Sequence, residues 1–143
     1  MSDVRVMVHA VWGTKNRYPF LTPDIRKKVI DHIKKNAKTK GIYINRINGS
    51  VDHMHCLLGL DIETSIGKTM QLLKGESSFW INKEKLTPKK FEWADEYFMV
   101  GLCDNIIPSV RKYIDNQEEH HKKKTFAEEY EEFLKKLRSF DQG

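Results

Sequence analysis

The spacing of hydrophobic positions changes along the chain, and each change predicts a different element. Over residues 4–12 every second residue is apolar, which is typical of a strand with one buried face. From Thr22-Pro23 to Gly41 the spacing becomes three and four, which predicts an amphipathic helix with a threonine cap, an early proline and a terminal glycine. The later segments predict a strand over 42–47, a hairpin turn at Asn48-Gly49, a strand over 51–60, a helix from Thr64 or Ser65, a strand within 91–102, a helix from Asn105 or Ile106 and a helix over 126–137.

This order, β-α-β-β-α-β followed by helices, predicts an α+β protein with the split β-α-β, ferredoxin-like arrangement. Such a fold is a four-stranded antiparallel sheet with two helices on one face. No linker or repeat divides the chain. We therefore expect a single domain over 1–143, with the ferredoxin-like core over 1–104 and two C-terminal helices over 105–143.

Composition favours a soluble protein of the cytoplasm. Hydrophobic residues make up 39% of the 143 residues and charged residues 31%. No apolar run approaches the roughly 20 residues that a membrane span needs, and the first segment lacks the apolar block of a signal peptide. Cys56 and Cys103 lie within apolar runs, which favours two buried thiols in a reducing compartment over a disulfide.

The net charge of +5 is unevenly distributed. Residues 118–143 carry 6 Lys/Arg against 7 Asp/Glu, which leaves 19 of the 25 basic and 13 of the 20 acidic residues, a net charge of +6, in residues 1–117. An excess of basic charge permits contacts with the phosphates of a nucleic acid.

Two histidines occupy alternate positions of the third predicted strand, in the segment Val51-Asp52-His53-Met54-His55. Because side chains alternate along a strand, His53 and His55 point to one face, about 6.6 to 6.8 Å apart along it. Apolar residues such as Met54 and Cys56 point to the other face, toward the helices. A His-x-His pair alone is more typical of surface or packed histidines, and a metal site would need a third ligand.

Tyr113 and Gln117 lie four residues apart on the third predicted helix, at the edge of its apolar stripe. Taken alone, a packing tyrosine and an exposed glutamine are the ordinary interpretation. If this helix packs on the open sheet face, however, Gln117 could supply an oxygen as third metal ligand, and Tyr113 could reach a bound phosphate. A nearby cation would favour the phenolate, and its attack would form a phosphotyrosine that conserves bond energy for rejoining.

These motifs resemble those of the small single-tyrosine HUH transposases of insertion sequences. The likeness covers nearly the whole chain and is carried by four segments, which are Val11 to Lys15 with Arg17, Asp52 to Leu58, Leu73 to Ser78, and Val110 to Gln117. Val51 and Cys56 stand where members of that family commonly have Pro and Leu, and neither position is a ligand.

The resemblance implies a homodimer that cleaves and rejoins single-stranded DNA at hairpin-marked element ends through a 5′-phosphotyrosine. It implies Tyr113 as the nucleophile, His53, His55 and Gln117 as metal ligands, and Mg²⁺ or Mn²⁺ as the cofactor. In that family the tyrosine helix can complete the site of the partner subunit. The flexible composition of 101–105 would allow this, so the sequence leaves open whether the tyrosine acts in cis or in trans.

The DNA contacts are predicted from weaker signals. Lys15, Arg17 and Tyr18 combine positive charge with a ring that could stack on a base. Lys74 belongs to a polar stripe of the second helix, which is either a solvated face or a track for the DNA backbone. We interpret His9, on a strand beside the proposed site, as a packed core histidine rather than as a residue that supports the metal ligands.

Two other functions stay open at this point. A domesticated, non-catalytic protein on the same fold would bind single-stranded nucleic acid even after Tyr113 is changed. A metal-dependent phosphodiesterase would use a metal-bound water and release free ends. The complete set of two histidines, tyrosine and glutamine favours the transposase, because a binding module has no need of all four.

Overall fold

The strands and helices follow one another in the predicted order. The structure is a computed structural model that describes residues 6–117 and, beyond them, residues 128, 131, 132 and 135. Its strands and longer helices are β1 (Val6–Thr14), α1 (Pro23–Thr39), β2 (Tyr43–Gly49), β3 (His53–Leu60), α2 (Ile66–Lys83), β4 (Trp93–Leu102) and α3 (Ile107–Asp115). Short 3-10 helices lie at Lys15–Arg17 and Asp104–Ile106. The predicted helix over 126–137 falls outside the described residues, apart from 128, 131, 132 and 135, which are helical.

The four strands form one antiparallel sheet in the order β2-β3-β1-β4. The central strands are β1 and β3, and their register places Val11 opposite His55 and Gly13 opposite His53. Since α1 joins β1 to β2 and α2 joins β3 to β4, each connection passes over one intervening strand. The predicted ferredoxin-like arrangement is therefore confirmed.

The main hydrophobic core lies between the sheet and the two crossover helices. It is formed by alternate residues of the central strands and by the apolar stripes of the helices: Val8, Ala10, Trp12, Met54, Cys56, Leu58, Val29, Ile33, Ala37, Met70, Leu73 and Ile81. Burial of each large aliphatic side chain contributes about 1.5–3 kcal/mol. This face of the sheet therefore supplies most of the hydrophobic stabilisation of the fold.

The turn between β2 and β3 lies later in the chain than predicted. Asn48 and Gly49 are still strand residues, opposite His55 and Met54, and the turn is closed by the backbone N–H of Ser50, which donates to the His53 carbonyl at 3.0 Å. A Cβ atom at Gly49 would collide with the His53 carbonyl oxygen and the Met54 side chain. The glycine is thus required for close approach of two strands and does not form the turn itself.

Both cysteines are free thiols, but only Cys56 is buried. The prediction that Cys103 is buried was wrong, because this residue follows the last residue of β4 and is exposed. Burial raises the pKa of the Cys56 thiol, which makes that sulfur a poor nucleophile. Within the described part of the chain, none of the helices combines the length and apolar character that crossing a membrane requires.

Candidate active site

The sheet face opposite the main core carries both histidines of the His-x-His pair and is covered by α3. His53 and His55 are buried there. A small apolar cluster of Leu57, Val110 and Ile114 attaches the helix to β3. The apolar stripe predicted for α3 therefore packs on the sheet, and this packing places Tyr113 next to the histidines.

His53 is held from its Nδ1 side by the turn that precedes it. The Asp52 carboxylate and the Ser50 hydroxyl each lie 2.8 Å from His53 Nδ1, and Arg17 Nη2 lies 3.7 Å from the same carboxylate. A carboxylate on one ring nitrogen fixes the orientation of an imidazole and increases its basicity as a ligand. Because Nδ1 is occupied, a metal would be bound through Nε2 of His53.

His55 is held in the same way by another histidine. His9 Nε2 lies 2.9 Å from His55 Nδ1, and the His9 side chain is fully buried. A histidine that binds a metal through Nε2 keeps its proton on Nδ1, so His55 would donate to His9. His9 is buried, as the packing interpretation expects, and it also contacts His55, because β1 and β3 pair in a register that brings the two rings together.

Tyr113 lies directly against this histidine pair. Its ring centroid is 5.6 Å from that of His55 and 6.2 Å from that of His9, both in edge-on geometry. The ring centroids of His53 and His55 are themselves only 5.0 Å apart. The phenol, half-buried between α3 and the sheet, therefore shares one site with both imidazoles.

Gln117 is fully buried just beyond the end of α3, where an exposed side chain would be ordinary. Its Nε2 donates to the Tyr113 carbonyl at 3.3 Å, whereas its Oε1 accepts no hydrogen bond from the described residues. A buried amide oxygen of this kind requires a partner such as an ion or a water. The described residues contain no group of three or more His, Cys, Asp or Glu side chains arranged for a metal. An amide oxygen is chemically able to complete a ligand set with two imidazoles.

The predicted DNA contacts of the first loop lie beside this site. Asn16 and Arg17 have positive φ angles of 56° and 57°, a conformation that non-glycine residues adopt rarely and that concentrates at functional sites. The loop thereby places Arg17 against Asp52, one residue before the first histidine. Lys15 pairs with Glu92 at 3.2 Å and is more than half exposed.

Tyr18 has a neighbour that the sequence did not indicate. Lys89 Nζ lies 3.7 Å from the centroid of the Tyr18 ring, and Phe20 packs near it at 4.5 Å. Stacking of a base on Tyr18 would require Lys89 to move, but the same lysine adds a positive charge to the loop surface. We name Lys15, Arg17, Tyr18 and Lys89 the loop surface.

Lys74 lies elsewhere and makes structural contacts. Its ammonium donates to the carbonyls of Ala94 and Asp95 at 2.7 and 3.0 Å, and burial lowers its pKa, opposed by the Asp95 carboxylate. It belongs to α2, on the face of the sheet that lacks the histidines. The structure thus brings together Tyr113, His53, His55 and Arg17, but not Lys74.

The fold resembles two solved structures of transposases. A crystal structure of a protein from Deinococcus radiodurans R1, described as a transposase, superimposes with a TM-score of 0.63 at 22% identity, over 81% of this chain and 93% of that one. A REP-associated tyrosine transposase, solved bound to a REP hairpin, also gives 0.63, at 16% identity, over 85% of this chain and 74% of that one. In fold, the protein resembles both of these transposases.

The sequence comparisons narrow this class to a family. The model of the IS200-like transposases matches residues 2–117, and the chain belongs to this family. It is also 25% identical over 115 residues to the ISDra2 transposase TnpA of Deinococcus radiodurans, covering 76% of this chain and 81% of that protein. The resemblance drawn from the two motifs is confirmed, and membership implies DNA strand transfer as the activity.

Proposed function

We propose that this transposase cuts and rejoins single-stranded DNA at hairpin-marked ends, with Tyr113 as the nucleophile. The observation that supports this most strongly is the packing of the Tyr113 ring against His55, whose ring also contacts that of His53. A phenol beside two imidazoles has the composition needed to attack a phosphodiester whose charge is neutralised by a cation.

The reaction exchanges one phosphoester bond for another. The Tyr113 oxygen, having lost its proton, forms a bond to phosphorus, and the bond from phosphorus to the 3′-oxygen breaks. The leaving 3′-oxygen takes up a proton, and the 5′-phosphate stays on the tyrosine. A 3′-hydroxyl from a second strand can then reverse these steps and restore Tyr113.

We propose His53, His55 and Gln117 as ligands of a divalent metal, Mg²⁺ or Mn²⁺. Two buried imidazoles with occupied Nδ1 atoms and a buried amide oxygen fit such an ion. When bound, the ion would polarise the phosphoryl oxygens and favour the phenolate. The chain itself fixes the imidazole orientations, through Asp52 and His9, and excludes water by packing α3 over the site.

We further propose that the loop surface holds the strand that leads to the scissile phosphate. Its support is the position of Arg17 beside Asp52 and the exposure of Lys15. The hairpin-bound REP-associated transposase supports a hairpin as the ligand. Lys74 is not included, since its ammonium donates to backbone carbonyls.

We also propose a homodimer, which rests on the family, and a cytoplasmic location, which rests on the two free thiols. Light scattering would test the dimer.

A covalent adduct assay tests the proposed function. The protein is incubated with hairpin-bearing single strands and Mn²⁺ and is separated on a denaturing gel, with Tyr113→Phe as the matched control. We expect a DNA–protein adduct with the wild type only. Free ends without an adduct, retained by Tyr113→Phe, would indicate a phosphodiesterase. Binding that persists in a chelator without any cleavage would indicate a non-catalytic binding protein.

A further inference from the structure

The tyrosine helix has little apolar anchorage of its own. α3 has nine residues, and isolated helices of that length are marginal in water. Among the described residues, its apolar contacts form one small cluster of Leu57, Val110 and Ile114, with partly buried residues such as Met7 and Leu102 packed against it. The orientation of the helix on the sheet therefore depends on polar contacts as well.

Three residues of the edge strand β2 supply polar contacts along the helix. Arg111 Nε donates to Asn45 Oδ1 at 2.7 Å, and Arg46 Nε lies 3.5 Å from Asp115 Oδ1. The third contact is made by Asn48, whose Nδ2 donates to the carbonyls of Ile114 and Asp115 at 3.0 and 3.3 Å. The three residues of β2 that contact α3 are therefore Asn45, Arg46 and Asn48.

Asn48 differs from the other two residues in what it connects. The last carbonyls of a helix have no partner within the helix, and Asn48 satisfies two of them at the turn that follows Tyr113. In the sheet, Asn48 lies directly opposite His55. One side chain thus joins the strand position next to a proposed ligand to the helix end between Tyr113 and Gln117.

We propose that Asn48 is a positioning residue for the strand-transfer reaction. It acts through α3, by fixing the helix so that Tyr113 and Gln117 meet the histidines of the same chain. Its substitution should change the rate of cleavage and leave DNA binding unaltered, because the loop surface lies on other elements. This inference rests on the proposed function, in which Tyr113 is the nucleophile.

The test compares Asn48→Ala and Asn48→Asp with the wild type in full-length protein. Alanine removes the donor, whereas aspartate places a negative charge against two carbonyls, the helix C-terminus and Asp115, which is unfavourable. Asn36→Ala is the matched control, because Asn36 lies on α1, in the opposite layer. The measurements are hydrogen exchange of backbone amides, single-turnover adduct formation and affinity for single-stranded DNA.

We expect exchange of the α3 amides to become roughly fivefold faster in Asn48→Ala, as loss of the hydrogen bonds from this side chain implies, with α1 and α2 unchanged. The adduct rate should fall roughly 10- to 100-fold, because small misplacements of a nucleophile have effects of this size. Asn48→Asp should be affected more strongly, and the DNA affinity of both should stay within about twofold of wild type.

Other results would overturn the inference in distinguishable ways. An unchanged adduct rate in Asn48→Ala, with active wild type, would show that Asn48 does not position Tyr113. Faster exchange throughout β2 and β3 would assign Asn48 to the stability of the hairpin instead. If the wild type itself forms no adduct, the proposed function fails, and the catalytic role of Asn48 fails with it, even where the exchange data confirm the contact with α3.

Discussion

The two faces of the sheet use the same four strands for different purposes. One face is covered by α1 and α2 over a large core of apolar side chains. The other is covered by the short α3, whose Val110 and Ile114 pack with Leu57 beside three buried histidines. The first face stabilises the fold, and the second holds the polar groups that a reaction needs. This division implies that stability and activity can be altered separately.

The alternation of side chains along a strand produces this division. Met54 and Cys56 enter the core, while His53 and His55 point the other way. A register slip of one residue would exchange the two sets, and the close approach at Gly49 opposes such a slip. The same register of strand pairing therefore determines which side chains enter the core and which face the site.

The largest effect is expected when a histidine of the site face is removed. His55→Ala should lower adduct formation on the order of 1,000-fold, equivalent to about 4 kcal/mol of transition-state stabilisation, because a proposed ligand and the neighbour of Tyr113 are both lost. Single-turnover assays in Mn²⁺ measure the rate, and calorimetric titration measures the metal affinity.

A histidine of the other layer provides the control for this substitution. His32 lies on α1, where it contacts Glu76 at 2.8 Å and stacks on Trp80. His32→Ala should keep the wild-type adduct rate. Equal losses of activity in the two variants would contradict the separation of the faces.

The second prediction compares the same substitution on the two faces. Ile33 and Ile114 are both buried, one under each face. Ile33→Ala should lower the free energy of unfolding by about 3 kcal/mol and leave the activity of the folded protein within about twofold. Ile114→Ala should destabilise less in urea unfolding, because α3 can separate locally.

Activity should show the reverse order in this pair. Ile114→Ala should lower the adduct rate roughly tenfold, because Tyr113 is carried by the loosened helix. If Ile33→Ala lowered the rate of adduct formation more than Ile114→Ala did under native conditions, the main core would contribute directly to catalysis.

Much of the fold could be predicted because it is encoded by short-range periodicity. The apolar spacing in α1 and the alternation around His53 specify which faces are buried, whatever their partners are. The hairpin turn was misplaced because Asn48-Gly49 has the composition of a turn but is held in the ladder by contacts with β3. Composition does not distinguish a glycine needed for a turn from one needed for close packing.

The supporting residues of the site could not be predicted for a different reason. His9 and His55 are 46 residues apart, and Asn48 and Ile114 are 66 apart. Such contacts depend on strand register and helix docking, which local periodicity does not contain. Asp52 and Ser50 were the exception, since a carboxylate and a hydroxyl adjacent to a histidine could have been interpreted as its support.

A third, smaller effect is expected from the residues that hold the two histidines. Asp52→Asn should weaken Mn²⁺ binding roughly 10- to 100-fold, because the anionic partner of His53 is lost. His9→Phe keeps a ring in place but leaves His55 Nδ1 without this acceptor, and roughly a tenfold loss is expected. Calorimetry of the free protein measures both, with Asp24→Asn on α1 as control.

The variants Asp52→Asn and His9→Phe also show which of the two histidine contacts matters more for metal binding. A larger loss in His9→Phe than in Asp52→Asn would mean that the contact of His9 with His55 supports metal binding more strongly than the contact of Asp52 with His53 does. Unchanged affinity in both variants would exclude the two contacts from metal binding and leave them a purely structural role.

The smallest effect concerns the charged surface around the site. Lys15→Ala and Lys89→Ala should each weaken binding of single-stranded DNA and reduce the slope of log affinity against log salt by about 1, as expected for one phosphate contact. Lys74→Ala should leave the slope unchanged, because its ammonium is bound to the Ala94 and Asp95 carbonyls on the other side of the sheet. Fluorescence anisotropy between low and moderate salt gives the three slopes. A reduced slope in Lys74→Ala alone would indicate that the DNA binds on the face of the sheet covered by α1 and α2. The face that stabilises the fold would then also bind the substrate, although catalysis would still belong to the other face.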